Sequence, residues 1–357
     1  RTETHSPTRC SAKPYVSKGK EQAVTRRLFT ALDGKPIDGK DISGQFSSFI
    51  FDSDSEFRIA VAEAGAESKI IFISGNELGA ASIHSGITIY ENHPKPNKNL
   101  SKAYSNILKK YQTAINTYNS RFDRLLKADR EYYEAKQLFG NGISSKNMGD
   151  AKKRYWYKRT MDMGVPELAV LFMIDGSGSM IGERRGAAMT SSVILHEVLK
   201  KQGIEHAIVE HRAIFGEPEI DHNILVDFGG RDAEKYNLMA LGADNGTREG
   251  LSLFWAERYI AQKSNAENKL IIVISDGEPA HEADGIFYFP PVSIMDTRNA
   301  ANKIIRRGTK IIAVALGGDD GSCYDELKQI YPEVINCTEL KSLTGQLLKA
   351  ISVQFRR

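Results

Sequence analysis

What the chain lacks narrows it first. No apolar run approaches the roughly eighteen residues that cross a bilayer as a helix, and the opening RTETHSPTRC has none of a signal peptide's apolar segment. No membrane partner is expected, although a start at Arg1 rather than Met leaves open whether a leader preceded it. Cysteine is scarce: Cys10, Cys323 and Cys337 are an odd count without CxxC spacing, which argues against a disulfide framework and a structural zinc site. A reducing cytoplasm is the expected home. There is no HExxH, since His196 is followed by Glu197 but by no histidine four positions on, and no GxxxxGKS or GxxxxGKT. Neither a zinc hydrolase nor a P-loop nucleotide hydrolase is expected. Excess charge is missing too: 48 basic against 45 acidic side chains leave a formal +3, too near balance to imply a nucleic-acid partner.

What is present, 357 residues with 41% hydrophobic and 26% charged side chains, suffices for two ordinary cores. From about residue 166 the pattern is regular. The apolar run LAVLFMID (168 to 175) precedes a helical stretch (183 to 202) in which Ala187, Val193, Ile194, Val198 and Leu199 share one face. Further β-like runs follow at 205 to 211, 224 to 228, 269 to 277 and 309 to 317, with a helix before the last of them that ends on Gly308. Two runs, LIIVI and IIAVAL, are continuously apolar, as strands covered by helices on both faces must be. The expected fold is α/β, a doubly wound, mostly parallel sheet over 166 to 357, closed by a C-terminal helix.

The preceding chain reads differently. Residues 1 to 99 are unassigned and expected to form a small α+β unit, with a hairpin from FSSFIF (46 to 51) and FRIAVAEA (57 to 64) and a third strand at KIIFIS (69 to 74). Residues 100 to 165 are expected to be a helical region and connector. Its long helix, about 100 to 139, carries Tyr104, Leu108, Tyr111, Ile115, Tyr118, Phe122 and Leu125 at steps of four and three. Three tyrosines in that seam favour packing within the chain over a coiled-coil dimer. The segment KKRYWYKR (152 to 159) interleaves basic and aromatic residues as single-stranded nucleic-acid binders do. It is read instead as a docking segment with its aromatics buried against the sheet domain, and nucleic acid is not an expected partner.

The stretch MIDGSGSM (173 to 180) lies between the first apolar run and the first helix. Gly176, Gly178 and Gly182 give GxGxxxG, and Glu210 is placed to accept from a ribose, but Asp175 puts a negative charge where a pyrophosphate would meet the helix. A nucleophile elbow requires GxSxG, which neither Ser177 nor Ser179 provides. Asp175, Ser177 and Ser179 do supply Asp-x-Ser-x-Ser. One acid and two neutral hydroxyls at the carboxyl end of a strand suit a hard divalent cation such as Mg²⁺ and leave it electrophilic enough to take an outside carboxylate. Each residue alone is ordinarily just a helix N-cap.

Residues 168 to 353 resemble a von Willebrand factor A (VWA) domain with a metal-ion-dependent adhesion site. NGTREGLSL (245 to 253) resembles the family's T-x-x-G-x-x-L loop and carries that role onto Thr247, and VISDGEP (273 to 279) carries the second acid onto Asp276. The resemblance implies that Ser177 and Ser179 bind the metal (Mg²⁺, or Mn²⁺ or Ca²⁺) directly, Thr247 directly or through water, and Asp175 and Asp276 mainly through water. A protein partner then fills the open position with an Asp or Glu, which makes the domain a binding module and not an enzyme. Asp175 is expected at the surface. DGEP, the run MDTRNAANKIIRRG (295 to 308) and the segment YWYKRTMDMG resemble the group that includes the nitric oxide reductase activation protein NorD and the cobaltochelatase subunit CobT. That resemblance implies an adaptor for a MoxR-like AAA+ ATPase. A subunit of a cobaltochelatase-like metal-inserting enzyme and an extracellular adhesive protein stay open as alternatives. The acids Glu278, Glu282 and Asp284 are read as a solvated rim, and DSDSE (52 to 56) as a turn rather than a calcium loop.

Overall fold

The computed structural model describes residues 69–74, 80, 82–161, 168–277, 279–316, 322–337, 339 and 342–354; the hairpin expected at 46 to 64 lies outside them. The chain runs through β1 (Lys69–Ser74), β2 (Thr88–His93), helix α1 (Ser101–Arg130), and then β3 (Glu131–Gln137), β4 (Gly142–Ile143) and β5 (Trp156–Met161). The α/β alternation follows with β6 (Leu168–Asp175), α2 (Glu183–Lys201), β7 (Glu205–Ala213), β8 (Glu219–Val226), α3 (Glu249–Lys263) and β9 (Asn268–Ser275). A short hairpin of β10 (His281–Ala283) and β11 (Ile286–Tyr288) leads to α4 (Val292–Arg306), β12 (Lys310–Leu316), α5 (Ser322–Ile330), β13 (Val334–Cys337) and α6 (Leu343–Val353).

One eight-stranded sheet in the order β1-β2-β8-β7-β6-β9-β12-β13 organises the described chain. The pairs β1–β2 and β7–β8 are antiparallel and the other five are parallel. Counted from β6, the six strands from β8 to β13 run 3-2-1-4-5-6, the doubly wound order in which ligands bind beyond the carboxyl ends of strands 1 and 4, where the winding reverses. Those two strands are β6 and β9. The fold is therefore the mostly parallel α/β sheet that the alternating runs imply.

Every residue of β6 is buried because each face meets a separate core. Val170, Phe172 and Ile174 pack with α1, α2 and α6, whereas Ala169, Leu171 and Met173 pack with α3, α4 and α5. A side-chain period of two splits a continuous apolar run between the two layers. Helix α2 is buried along most of its length because α1 and α6 cover it from outside. The seam of α1 does this covering: Tyr104, Ile115 and Phe122 are buried, and Leu108, Tyr111 and Tyr118 pack on the same core. Tyr104 donates to Glu197 of α2 at 2.7 Å. The seam thus packs within its own chain.

Three expectations need correction. Helix α1 stops at Arg130 rather than near 139, because residues 131 to 137 pair with β5 as a strand, and tertiary pairing overrides the helical pattern. KKRYWYKR does not bury its aromatics fully. It enters β5 of a separate three-stranded sheet, β3-β5-β4, with Tyr155, Trp156 and Tyr157 only half-buried. Finally, β1 and β2 extend the central sheet beside β8, so the sheet runs across the divisions expected at 99 and 165. No described helix is long and apolar enough to cross a membrane.

Candidate metal-binding loop

Asp175 is the last residue of β6, opposite His211 of β7. The next turn is held by backbone: Gly176 N–H donates to His211 O at 2.9 Å, Asp244 N–H to Gly176 O at 2.7 Å, and Gly178 N–H to Asn245 O at 3.0 Å. The loop before α2 is thereby laid against the loop before α3. Glycine at 176 is a packing requirement, since a Cβ there would lie 2.9 Å from Cγ and Oε1 of Glu210. Gly182, with φ at +88°, makes the turn into α2 that a residue with a side chain rarely adopts.

Four of the five expected ligands form one connected network. The Ser177 N–H donates to Asp175 Oδ1 at 2.7 Å, and the Ser177 and Ser179 hydroxyls lie 2.9 Å apart. Ser179 Oγ donates to Asp276 Oδ1 at 2.8 Å, which joins the first loop to the turn after β9. Thr247 stands in the loop facing them. Its N–H donates to Ala280 O at 3.0 Å, and its neighbours Asp244 and Asn245 pair with Gly176 and Gly178. Among the described residues no hydrogen bond joins its hydroxyl to the other four.

Asp175 is buried rather than at the surface, only 3% exposed. Burial pushes its carboxyl up from the usual range, against hydrogen bonds from Ser177 and Ser275. The Asp276 carboxyl is also pushed up, first by burial and then by the charge of Asp175, against Ser179 and Arg184. Two enclosed acids thus repel one another beside neutral hydroxyls, an arrangement that a cation relieves.

Three neighbours escaped the sequence reading. Ser275 Oγ donates to Asp175 Oδ2 at 2.8 Å and fixes the carboxylate plane. Arg184 Nη1 donates to Asp276 Oδ2 at 2.5 Å. Glu249, fully buried at the start of α3, accepts from Tyr331 OH and is pushed up to about 8 by burial, with the charge of Asp175 adding. The Ser275 signal was present in SDG directly before Asp276, but nothing local marks Arg184 or Glu249 as facing the loop. Beneath it, Arg212 pairs with Asp244 inside the sheet and anchors the second loop.

Glu210 has no free face for a ribose. Its Oε2 accepts from Asn223 at 2.9 Å and its Oε1 from Gly242 N–H at 2.8 Å, both inside the protein. Among the described residues no group of three or more His, Cys, Asp and Glu side chains is placed to hold a metal ion. The expected donor set is hydroxyl-rich: Ser177, Ser179 and Thr247 with two acids. It suits a hard, oxygen-seeking cation such as Mg²⁺ and not a soft one.

No family model and no curated protein matches the chain. Solved structures do. The vWF domain of the type V pili tip protein Mfa5 from Porphyromonas gingivalis is 17% identical over 55% of this chain and 98% of that one, with a TM-score of 0.43. The pilus adhesin SpaC from Lactobacillus rhamnosus GG is 12% identical over 54% of this chain and 31% of its own, with a TM-score of 0.42. The SpRpn10 VWA domain is 11% identical over 50% and 94%, with a TM-score of 0.38. One of the three is a VWA domain and one a vWF domain by name. This chain spans about a third of SpaC and nearly all of the two isolated domains.

Proposed function

We propose that Asp175, Ser177, Ser179, Thr247 and Asp276 form a divalent-cation site, with Mg²⁺ the first candidate and Mn²⁺ or Ca²⁺ alternatives, through which the chain holds an acidic residue of a protein partner. The observation that carries this reading is the continuous network from Asp175 through Ser177 and Ser179 to Asp276 at the point where the winding of the sheet reverses. A bound cation supplies an electrophilic position for an outside carboxylate. The protein's part is to hold two acids and three hydroxyls around one point, with Ser275 orienting Asp175 and the Gly176 turn bringing the two loops together.

The finer reading follows the resemblance of the loop motifs and of residues 295 to 308: a cytoplasmic adaptor that holds a target, or a MoxR-like AAA+ ATPase, through an acid on the metal. The test is affinity capture of the full chain from its own cells with Mg²⁺, with EDTA, and as Asp175→Ala. Capture of an ATPase that requires both Mg²⁺ and the intact loop supports the adaptor. Identical capture in all three conditions sinks the metal-dependent reading.

A further inference from the structure

The positive charge nearest the loop belongs to the chain itself. Arg184 Nη1 reaches Asp276 Oδ2 at 2.5 Å and the carbonyl oxygen of Ser179 at 3.2 Å, so one guanidinium touches two of the residues assigned to the cation. The Asp276 side chain is 1% exposed and that of Arg184 34%, which describes an enclosed acid met by a side chain reaching in from solvent. Arg185 does not share this role, because it is buried beside Glu210 and Asp244. Helix stability does not explain Arg184 either. It lies in the first turn of α2, where the helix dipole disfavours a cation.

Asp276 has two oxygens, and both are taken: Oδ1 by the Ser179 hydroxyl and Oδ2 by the guanidinium. A guanidinium stays protonated at any ordinary pH, so this counter-charge is permanent and only movement removes it. A divalent ion among the same ligands would be repelled by a guanidinium held at hydrogen-bond distance from one of them.

We infer that Arg184 is a tethered competitor for the divalent ion: it neutralises Asp276 while the loop is without metal, and it must release Asp276 for metal to bind at full strength. The inference rests on the metal reading of the loop and adds that one side chain sets its affinity. Arg184 thereby keeps the metal-free loop folded at the expense of metal affinity.

The experiment is a calorimetric Mn²⁺ titration of the full chain as wild type, Arg184→Gln and Arg184→Lys, with thermal melts of each in EDTA and in Mn²⁺. Competition predicts that Arg184→Gln binds Mn²⁺ roughly tenfold more tightly. It also predicts that this variant melts lower than wild type in EDTA and gains more from Mn²⁺, since its two acids then lack any counter-charge. Arg184→Lys, a cation without the planar fork, falls between the two and serves as the comparison should Arg184→Gln fail to fold without metal. Binding by wild type with equal or weaker binding by both variants overturns the competitor role and leaves the metal site standing. Absence of Mn²⁺ binding in all three proteins overturns the metal reading and the inference with it. Binding by the variants alone is the extreme case of the competition and supports it.

Discussion

Ser179 and Asp276, 97 positions apart in the chain, are joined by a hydroxyl-to-carboxylate hydrogen bond of 2.8 Å. That bond closes the network begun by Asp175 and Ser177, and it exists because β6 and β9 are sheet neighbours whose carboxyl ends emerge side by side. The serine loop and the second acid therefore belong to one site.

Asp175→Asn keeps an oxygen acceptor for the Ser177 N–H, turns an amide donor toward the Ser275 hydroxyl, which can accept in its place, and removes a buried charge that repels Asp276. The expected outcome is loss of Mg²⁺ or Mn²⁺ binding by calorimetry, with a melting temperature unchanged or raised. A large drop in melting temperature would show that the charge itself holds the loop together. Thr247→Ala is expected to weaken metal binding while leaving the metal-free melting temperature nearly unaltered, because its hydroxyl joins none of the loop's described hydrogen bonds.

Glu249 gives a pH dependence with a defined sign. Its carboxyl rises from 4.5 to about 8 on folding, so the folded chain binds the proton more tightly than the unfolded chain. The contribution of the protonated group is fully present below the unfolded value and is lost as pH rises through the folded one. Denaturant midpoints are expected to fall between about pH 5 and 8 in the wild type and to fall less steeply in Glu249→Gln. Parallel slopes for the two proteins would remove Glu249 as the cause.

Gly176→Ala places a methyl group against Glu210, whose carboxylate is held by Asn223 and Gly242 and cannot easily withdraw. A loss of about 1–3 kcal/mol in urea unfolding is expected, as for overpacked cores. The same shift would splay the two loops, so weaker metal binding should accompany it. A neutral substitution would mean that the Glu210 side chain moves freely.

Tyr104→Ala tests how the long helix is used. The ring is buried between α1 and α2 and its hydroxyl bonds to Glu197, so its removal should cost about 3–5 kcal/mol, the range of large-to-small core changes. Packing within one chain makes the loss independent of protein concentration. A stability that varies with concentration would instead point to a helix seam between chains.

The first loop could be singled out because Asp-x-Ser-x-Ser ends an apolar run, whereas Thr247 and Asp276 were singled out through the resemblance of their motifs. A strand buried on both faces is continuously apolar, as LAVLFMID and LIIVI are, and the residues that break such runs mark the carboxyl edge where ligands bind. The seam of α1 was legible for the same reason, since its period records which face is covered. The strand pairing of 131 to 137 was not, because a distant partner strand decided it; Tyr133, for example, pairs with Arg159.

The sequence by itself determined the main apolar strands from residue 168 onward, their covering by helices on two faces and the residue types offered at the loop. Only the tertiary structure decided which of those residues meet. It set Ser275 on Asp175, Glu249 behind it, Arg184 on Asp276, and β1 and β2 along the edge of β8. The physical reason is that burial patterns are written in the local spacing of side chains, whereas electrostatic partners are chosen by which strand ends the sheet brings together. Charged and hydroxyl groups carry no periodicity that would announce their neighbours in advance.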